Sequence, residues 1–112
     1  MIKSKDKNII IVVPTYNAKG SIIKVLLGTL NNVPNAKILV VDDNSPDKTA
    51  QIINKNFLGN KRINVIVRKS KGGRGSAVVR GFKEALKDKK AALFIEMDAD
   101  LVHNPNDLPR LI

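Results

Sequence analysis

Five branched aliphatic residues in a row, Ile9-Ile10-Ile11-Val12-Val13, make a run that no other uninterrupted apolar stretch of the chain exceeds in length. That run is far too short to span a membrane. It also lacks the in/out alternation of a strand with one wet face. An apolar stretch this short, with no polar side, suits a strand covered on both faces, as in a parallel sheet flanked by helices. Asn8–Val13 is therefore read as the first strand. Lys37–Val41, Ile63–Val67 and Ala92–Met97 share its character and are read as three more.

Helical periodicity fills the gaps. Ile22, Ile23, Leu26, Leu27 and Leu30 form an apolar face at helical spacing. Ala50, Ile53 and Phe57 repeat the pattern more weakly, and Ala77, Val78, Phe82, Ala85 and Leu86 mark a third helix entered through Gly72-Gly73-Arg74-Gly75. Ser45-Pro46-Asp47 predicts a helix start, with a capping hydroxyl, a proline at the first position and an acid near the positive end. Strands alternating with helices imply the α/β class, a mainly parallel sheet with right-handed crossovers. A chain of 112 residues, 43% hydrophobic, has material for one core, so one domain or part of one is expected.

Sheets of this kind bind ligands at the carboxyl ends of their strands. Three polar segments fall there: Pro14-Thr15-Tyr16-Asn17, Asp42-Asp43-Asn44-Ser45 and Asp98-Ala99-Asp100. Six of the ten acids lie in the clusters Asp42-Asp43…Asp47 and Glu96…Asp98…Asp100, so both clusters are expected at one sheet edge. The remaining charge is opposite in sign. Ten Lys or Arg and no acid lie between Lys48 and Lys83, and the formal net charge is +10. A basic surface favours anionic partners, but 4% aromatic content supplies few rings for stacking nucleic-acid bases. No nucleic-acid partner is expected. With no cysteine there are no disulfides and no thiolate metal sites, which fits a reducing compartment. No signal-peptide segment follows the charged start Met1–Lys7 and no run is long enough to be transmembrane, so the expectation is a cytoplasmic chain, whether or not at the cytoplasmic face of a membrane.

Asp98 and Asp100 flank a small residue just past a buried strand. Two carboxylates so placed repel by roughly 4 kcal/mol at ~4 Å and an effective dielectric of ~20. A hard divalent cation, Mg²⁺ or Mn²⁺, removes that repulsion and also takes phosphate oxygens. Asp42 and Asp43 offer acceptors to ribose hydroxyls or a base N–H, and Tyr16, the only tyrosine, offers a ring for a base. Lys71 and Arg74 are within reach of a phosphate in the glycine-rich segment, which has neither the Gly-Lys-Ser/Thr of a Walker loop nor the glycine spacing of a dinucleotide fingerprint. His103, the only histidine, reads as a loop residue.

Taken together, Ile11–Asn17, Ile38–Thr49, Lys71–Phe82 and Met97-Asp98-Ala99-Asp100-Leu101…His103…Pro105 resemble the ordered motifs of family-2 glycosyltransferases of the GT-A fold. Within that family they look most like the dolichol-phosphate or polyprenyl-phosphate mannosyltransferases. The resemblance implies that residues 1–112 form the donor part of a catalytic domain, binding a nucleotide-diphosphate sugar. Pro14, Tyr16, Val41, Asp42, Asp43, Lys71, Asp98 and Ala99 would hold the nucleotide, and Asp98 and Asp100 the metal. It further implies inverting transfer, with GDP-mannose as best donor over a UDP-sugar and a polyprenyl phosphate as acceptor. No catalytic base is assigned within the chain. Two positions depart from the pattern: Ala18 stands where the family usually has Glu, and Val102 where a third polar metal ligand often occurs. The chain stops a few residues beyond the Asp-x-Asp motif, so a truncated, donor-binding piece without activity of its own is the alternative expectation.

Two other classes are weighed. A phosphoacceptor receiver domain has a similar length, but its acid pair ends the first strand, whereas here the pair ends the second. A basic RNA- or membrane-binding module suits the charge but leaves the paired acids unexplained.

Overall fold

The computed structural model describes residues 9–69, 73–88, 93–97 and 99. Strands and helices alternate through them: β1 (Ile9–Thr15), α1 (Ile22–Asn32), β2 (Ala36–Asp42), α2 (Thr49–Asn56), β3 (Ile63–Val67), α3 (Arg74–Ala85) and β4 (Leu93–Glu96). The strands pair in parallel in the order β3-β2-β1-β4. This is the expected α/β architecture, with β1 running two residues further than its apolar run suggested.

The extension carries Pro14 into a central strand, where a missing N–H should be costly. Its placement explains the tolerance. The Val12 carbonyl accepts from Met97 N, on the β4 side, and the Thr15 carbonyl accepts from Asp43 N, on the β2 side. Alternation along the strand turns Pro14 toward β4, two residues past the last ladder pair, Val12 with Glu96. No ladder bond is lost there.

β1 is buried at every position, and its side chains feed two cores. Ile9, Ile11 and Val13 join Ile38 and Val40 of β2 under α1 and α2. Ile10 and Val12 join Leu39 and Val41 under α3. β3 departs from expectation. Read as covered on both faces, it lies at the sheet edge and has no fully buried residue.

The stripe that α1 buries is Ile22, Val25, Leu26 and Thr29, while Leu27, expected inside, is 48% exposed. Thr29 fits the apolar stripe because its hydroxyl donates back to the Val25 carbonyl at 2.8 Å. The carbonyls at the end of α1 are met by Arg62, which donates to Val33 O at 2.7 Å and to Leu30 O at 3.4 Å, and also to Ala36 O at 2.8 Å. A cation suits the negative end of a helix, and burial pulls its pKa below the usual arginine value.

α2 begins at Thr49, after Lys48 in a left-handed conformation (φ 66°), and not at the Ser45-Pro46-Asp47 start expected. The Ser45 hydroxyl is used elsewhere, and Asp47 instead accepts from Thr49 N at 3.0 Å. α3 is entered from Gly73, whose φ of 86° a side chain would strain. Leu86, expected on its buried face, is 65% exposed just past the helix end.

Gly81 lets α3 approach the sheet at backbone distance. A Cβ there would lie 2.3 Å from Val12 Cγ1 and 3.1 Å from Val41 Cγ2. Both valines are fully buried and stiff at χ1. Gly81→Ala is expected to cost about 1–3 kcal/mol of stability through overpacking. Gly75→Ala, with nothing within 4 Å of its Cβ, should be neutral or gain up to about 1 kcal/mol from helix propensity. Urea unfolding of the two variants checks the contrast.

Candidate functional site at the carboxyl edge

In a parallel sheet all carboxyl ends share one edge. The chain lays β2 and β3 on one side of β1 with α1 and α2 on one face. It then crosses the opposite face through α3 to place β4 on the other side of β1. The strand order therefore reverses between β1 and β4, the place at which sheets of this kind hold ligands. Ser21, at the start of α1, donates to the Ala99 carbonyl at 2.8 Å, which ties Ala99, beyond β4, to the start of that helix.

The expected site residues fall as follows. Pro14 is buried inside β1. Tyr16 is the first residue beyond it and is 43% exposed. The Val41 side chain is buried beneath α3, so it offers the edge only its main chain. Asp42 and Asp43 end β2 next to Thr15. Ala99 is half-buried. Lys71, Asp98 and Asp100 lie outside the described residues, as do the Arg74 side chain, Val102 and His103. The acid pair ends the second strand and not the first, against the receiver-domain alternative.

Both β2 carboxylates are engaged by the chain itself. Asp42 is 1% exposed. One of its oxygens accepts from the hydroxyls of Thr15 and Ser45, each at 2.6 Å, and the other from Ser45 N at 2.9 Å. Three hydrogen bonds satisfy this buried acid, and no cation pairs with it among the described residues. Asp43 accepts from Nε of Arg68 and from its Nη2 at 2.8 Å, a bidentate pair. The same guanidinium reaches Ser76 Oγ at 2.6 Å and the Gly73 carbonyl at 3.1 Å. Arg68 thus ties the ends of β2 and β3 to the first turn of α3. Its hydrogen bonds to Asp43, opposed by burial, raise its pKa above the usual arginine value.

Beyond Asp42, the β2–α2 loop grips the loop that leaves β1. Asn17 N donates to Ser45 Oγ at 2.9 Å, Ala18 N to Thr49 Oγ1 at 3.0 Å and Lys19 N to Asp47 Oδ2 at 3.0 Å. Asp47 N returns a bond to Asn17 Oδ1 at 3.3 Å. Ala18 packs into the core cluster with α1. Among the described residues no buried side-chain nitrogen or oxygen lacks a partner.

Arg68 and Thr49 carry roles that sequence reasoning missed. Arg68 sits directly after β3, at the same edge as the three polar segments, and that position was the available signal. For Thr49 the local pattern showed only a helix residue.

Residues 10–112 match the family described as Glycosyl transferase family 2. The chain belongs to that family. It is 40% identical over 108 residues to a dolichol-phosphate mannosyltransferase of Pyrococcus furiosus, covering 91% of this chain and 28% of that protein. It is 37% identical over 105 residues to an undecaprenyl-phosphate mannosyltransferase of Micrococcus luteus, covering 93% and 42%. This family-2 chain therefore spans less than half the length of either relative. Among solved structures, the mannosyltransferase PcManGT of Pyrobaculum calidifontis, in complex with GDP-Man and Mn²⁺, superposes with a TM-score of 0.72 at 19% identity, over 92% of this chain and 30% of that one. That likeness confirms the GT-A fold.

Two predictions follow from the polar ties. Removing Arg68 leaves the Asp43 charge buried and unpaired, so Arg68→Met should cost about 3–5 kcal/mol in chemical denaturation. The double variant with Asp43→Asn should recover part of it. The second concerns acid. Burial pushes the Asp47 pKa up, but hydrogen bonds from the Thr49 hydroxyl and from Lys19 N and Thr49 N, with the Lys19 charge, bring it below the ordinary 3.8. A carboxylate more acidic folded than unfolded contributes stability that is complete above 3.8 and lost as pH falls through the lower folded value. Asp47→Asn should therefore narrow its stability deficit against the parent as pH is lowered below 3.8, measured by acid titration of the unfolding midpoint.

Proposed function

We propose that this chain binds the nucleotide of a sugar-nucleotide donor at the carboxyl edge, with Mg²⁺ or Mn²⁺, as part of a glycosyltransferase that inverts the sugar it transfers. The best donor is GDP-mannose and the best acceptor a polyprenyl phosphate. One observation carries the reading: in a family-2 chain, Tyr16, the Asp42-Asp43 end of β2, Met97 and Ala99 lie at one sheet edge, beside the β1/β4 switch point. The relatives' names support the acceptor class, two of them being transferases to dolichol or undecaprenyl phosphate. The GDP-Man and Mn²⁺ complex of the structural neighbour supports donor and metal.

The residues divide the work by chemistry. Tyr16 presents a half-exposed ring to the nucleoside. Asp43, held flat by Arg68, fixes the floor of the edge beside it. Asp98 and Asp100 are the residues that would hold the metal, with Lys71 available to a phosphate. A divalent cation held by them would offset negative charge on the leaving diphosphate. A phosphate monoester acceptor, with a second pKa of about 6, is already largely ionised at neutral pH and needs little help from a base.

Calorimetric titration of GDP and of UDP, with Mn²⁺ and then with EDTA, tests the proposal. GDP should bind only with metal, and Asp98→Asn should weaken it at least tenfold, about 1.4 kcal/mol. A folded chain that takes up neither nucleotide would end the donor-site reading.

A further inference from the structure

Three consecutive main-chain N–H groups after β1, those of Asn17, Ala18 and Lys19, donate to three side chains between β2 and the first residue of α2, those of Ser45, Thr49 and Asp47. Such regularity is not needed to hold the sheet, because β1 and β2 are already paired along their whole length. It acts on the turn alone. Asn17 sits at φ 55°, the left-handed region that Asn enters more readily than other residues with a side chain. The bonds from Asn17 N to Ser45 Oγ and from Asp47 N to Asn17 Oδ1 hold it there. The receiving side chains are themselves fixed. Ser45 Oγ donates to the buried Asp42 carboxylate, and Asp47 Oδ1 accepts from Thr49 N. The residue directly before this clamped turn is Tyr16, 43% exposed at the edge.

We propose that Ser45 and Asp47 are positioning residues: they mould the 16–19 turn so that the Tyr16 ring stands ready as the nucleoside platform. The platform role rests on the donor reading above, whereas the moulding of the turn does not. An aromatic platform whose backbone is fixed in advance loses less freedom when a base stacks on it, so the clasp acts on nucleoside affinity. It leaves the phosphate end of the site untouched. Asp47 is the member best suited to test, being only partly buried, so its removal spares the core.

The chain contains one tyrosine and no tryptophan, so intrinsic fluorescence reports Tyr16 alone. In Asp47→Ala and in the Ser45→Ala, Asp47→Ala double variant, with far-UV circular dichroism unchanged, Tyr16 anisotropy should fall and acrylamide quenching should rise by about twofold, as expected when hydrogen bonds holding the turn are lost. GDP affinity in Mn²⁺ should drop about fivefold in Asp47→Ala, while inorganic pyrophosphate affinity stays as in the parent. Asp47→Asn, which keeps one acceptor oxygen, should recover part of both losses, and it takes the place of the alanine variant if that fails to fold. Unchanged anisotropy and quenching in the folded variants would overturn the clasp. An equal loss of pyrophosphate binding would overturn its action on the nucleoside. If the parent binds no GDP, the donor reading falls by itself, and the fluorescence comparison still decides the moulding of the turn.

Discussion

β1 can be buried at all seven positions only if both faces and both edges are satisfied by other parts of the chain. Its five leading aliphatic side chains are each worth about 1.5–3 kcal/mol on burial. Together they rival the whole net stability of a small domain, about 5–15 kcal/mol. That demand sets the rest of the architecture. Helices must lie on both faces, so the crossovers to β2 and β3 run on one side and the crossover to β4 on the other. The strand order reverses beside β1 as a result. Where the apolar run ends, the strand continues for two residues, and Thr15 hands over from hydrophobic burial to hydrogen bonding through its link to Asp42.

The same demand explains why the acids at the edge behave unlike one another. Asp42 lies one residue past a fully buried valine and inherits its burial. A carboxylate there must find donors inside the chain, and Thr15 and Ser45 provide them. Asp43 lies where the edge is beginning to open, and it is matched by a guanidinium from the end of the neighbouring strand. Two of the cations have structural partners: Arg62 serves the end of α1 and Arg68 the end of β2.

Much of the fold was legible because it depends on local pattern. Short unalternating apolar runs announced buried parallel strands, and helical spacing placed Ile22, Leu26, Ile53 and Ala77 on inner faces. The failures share a cause. Leu27 and Thr29 exchange roles because a threonine hydroxyl can satisfy itself on its own helix, which hydropathy alone does not reveal. Ser45-Pro46-Asp47 looked like a helix start because those residue types accept backbone N–H bonds. In the structure Ser45 and Asp47 accept such bonds from a different loop, 28 residues earlier in sequence. Of the candidate site, the sheet edge and the two segments that follow β1 and β2 could be read from the sequence. The pairings across 25 to 31 residues that set its shape could not, since no periodicity records them.

Two ties flank the end of β2, and they point in opposite directions. Asp42, through Ser45, reaches back to the turn after β1, while Asp43, through Arg68, reaches forward to the first turn of α3. The adjacent pair therefore joins elements on both faces of the sheet through a single peptide unit. Such a unit has little freedom to shift one tie without disturbing the other. The interior is closely packed there too, with Gly81 pressed against Val12 and Val41 directly behind. A change in the α3 entry is thus mechanically linked, through Arg68, Asp43 and Asp42, to the turn that carries Tyr16. The acidic pair that the sequence offers as a ligand feature is, in the folded chain, first of all the joint that keeps the two walls of the edge in register.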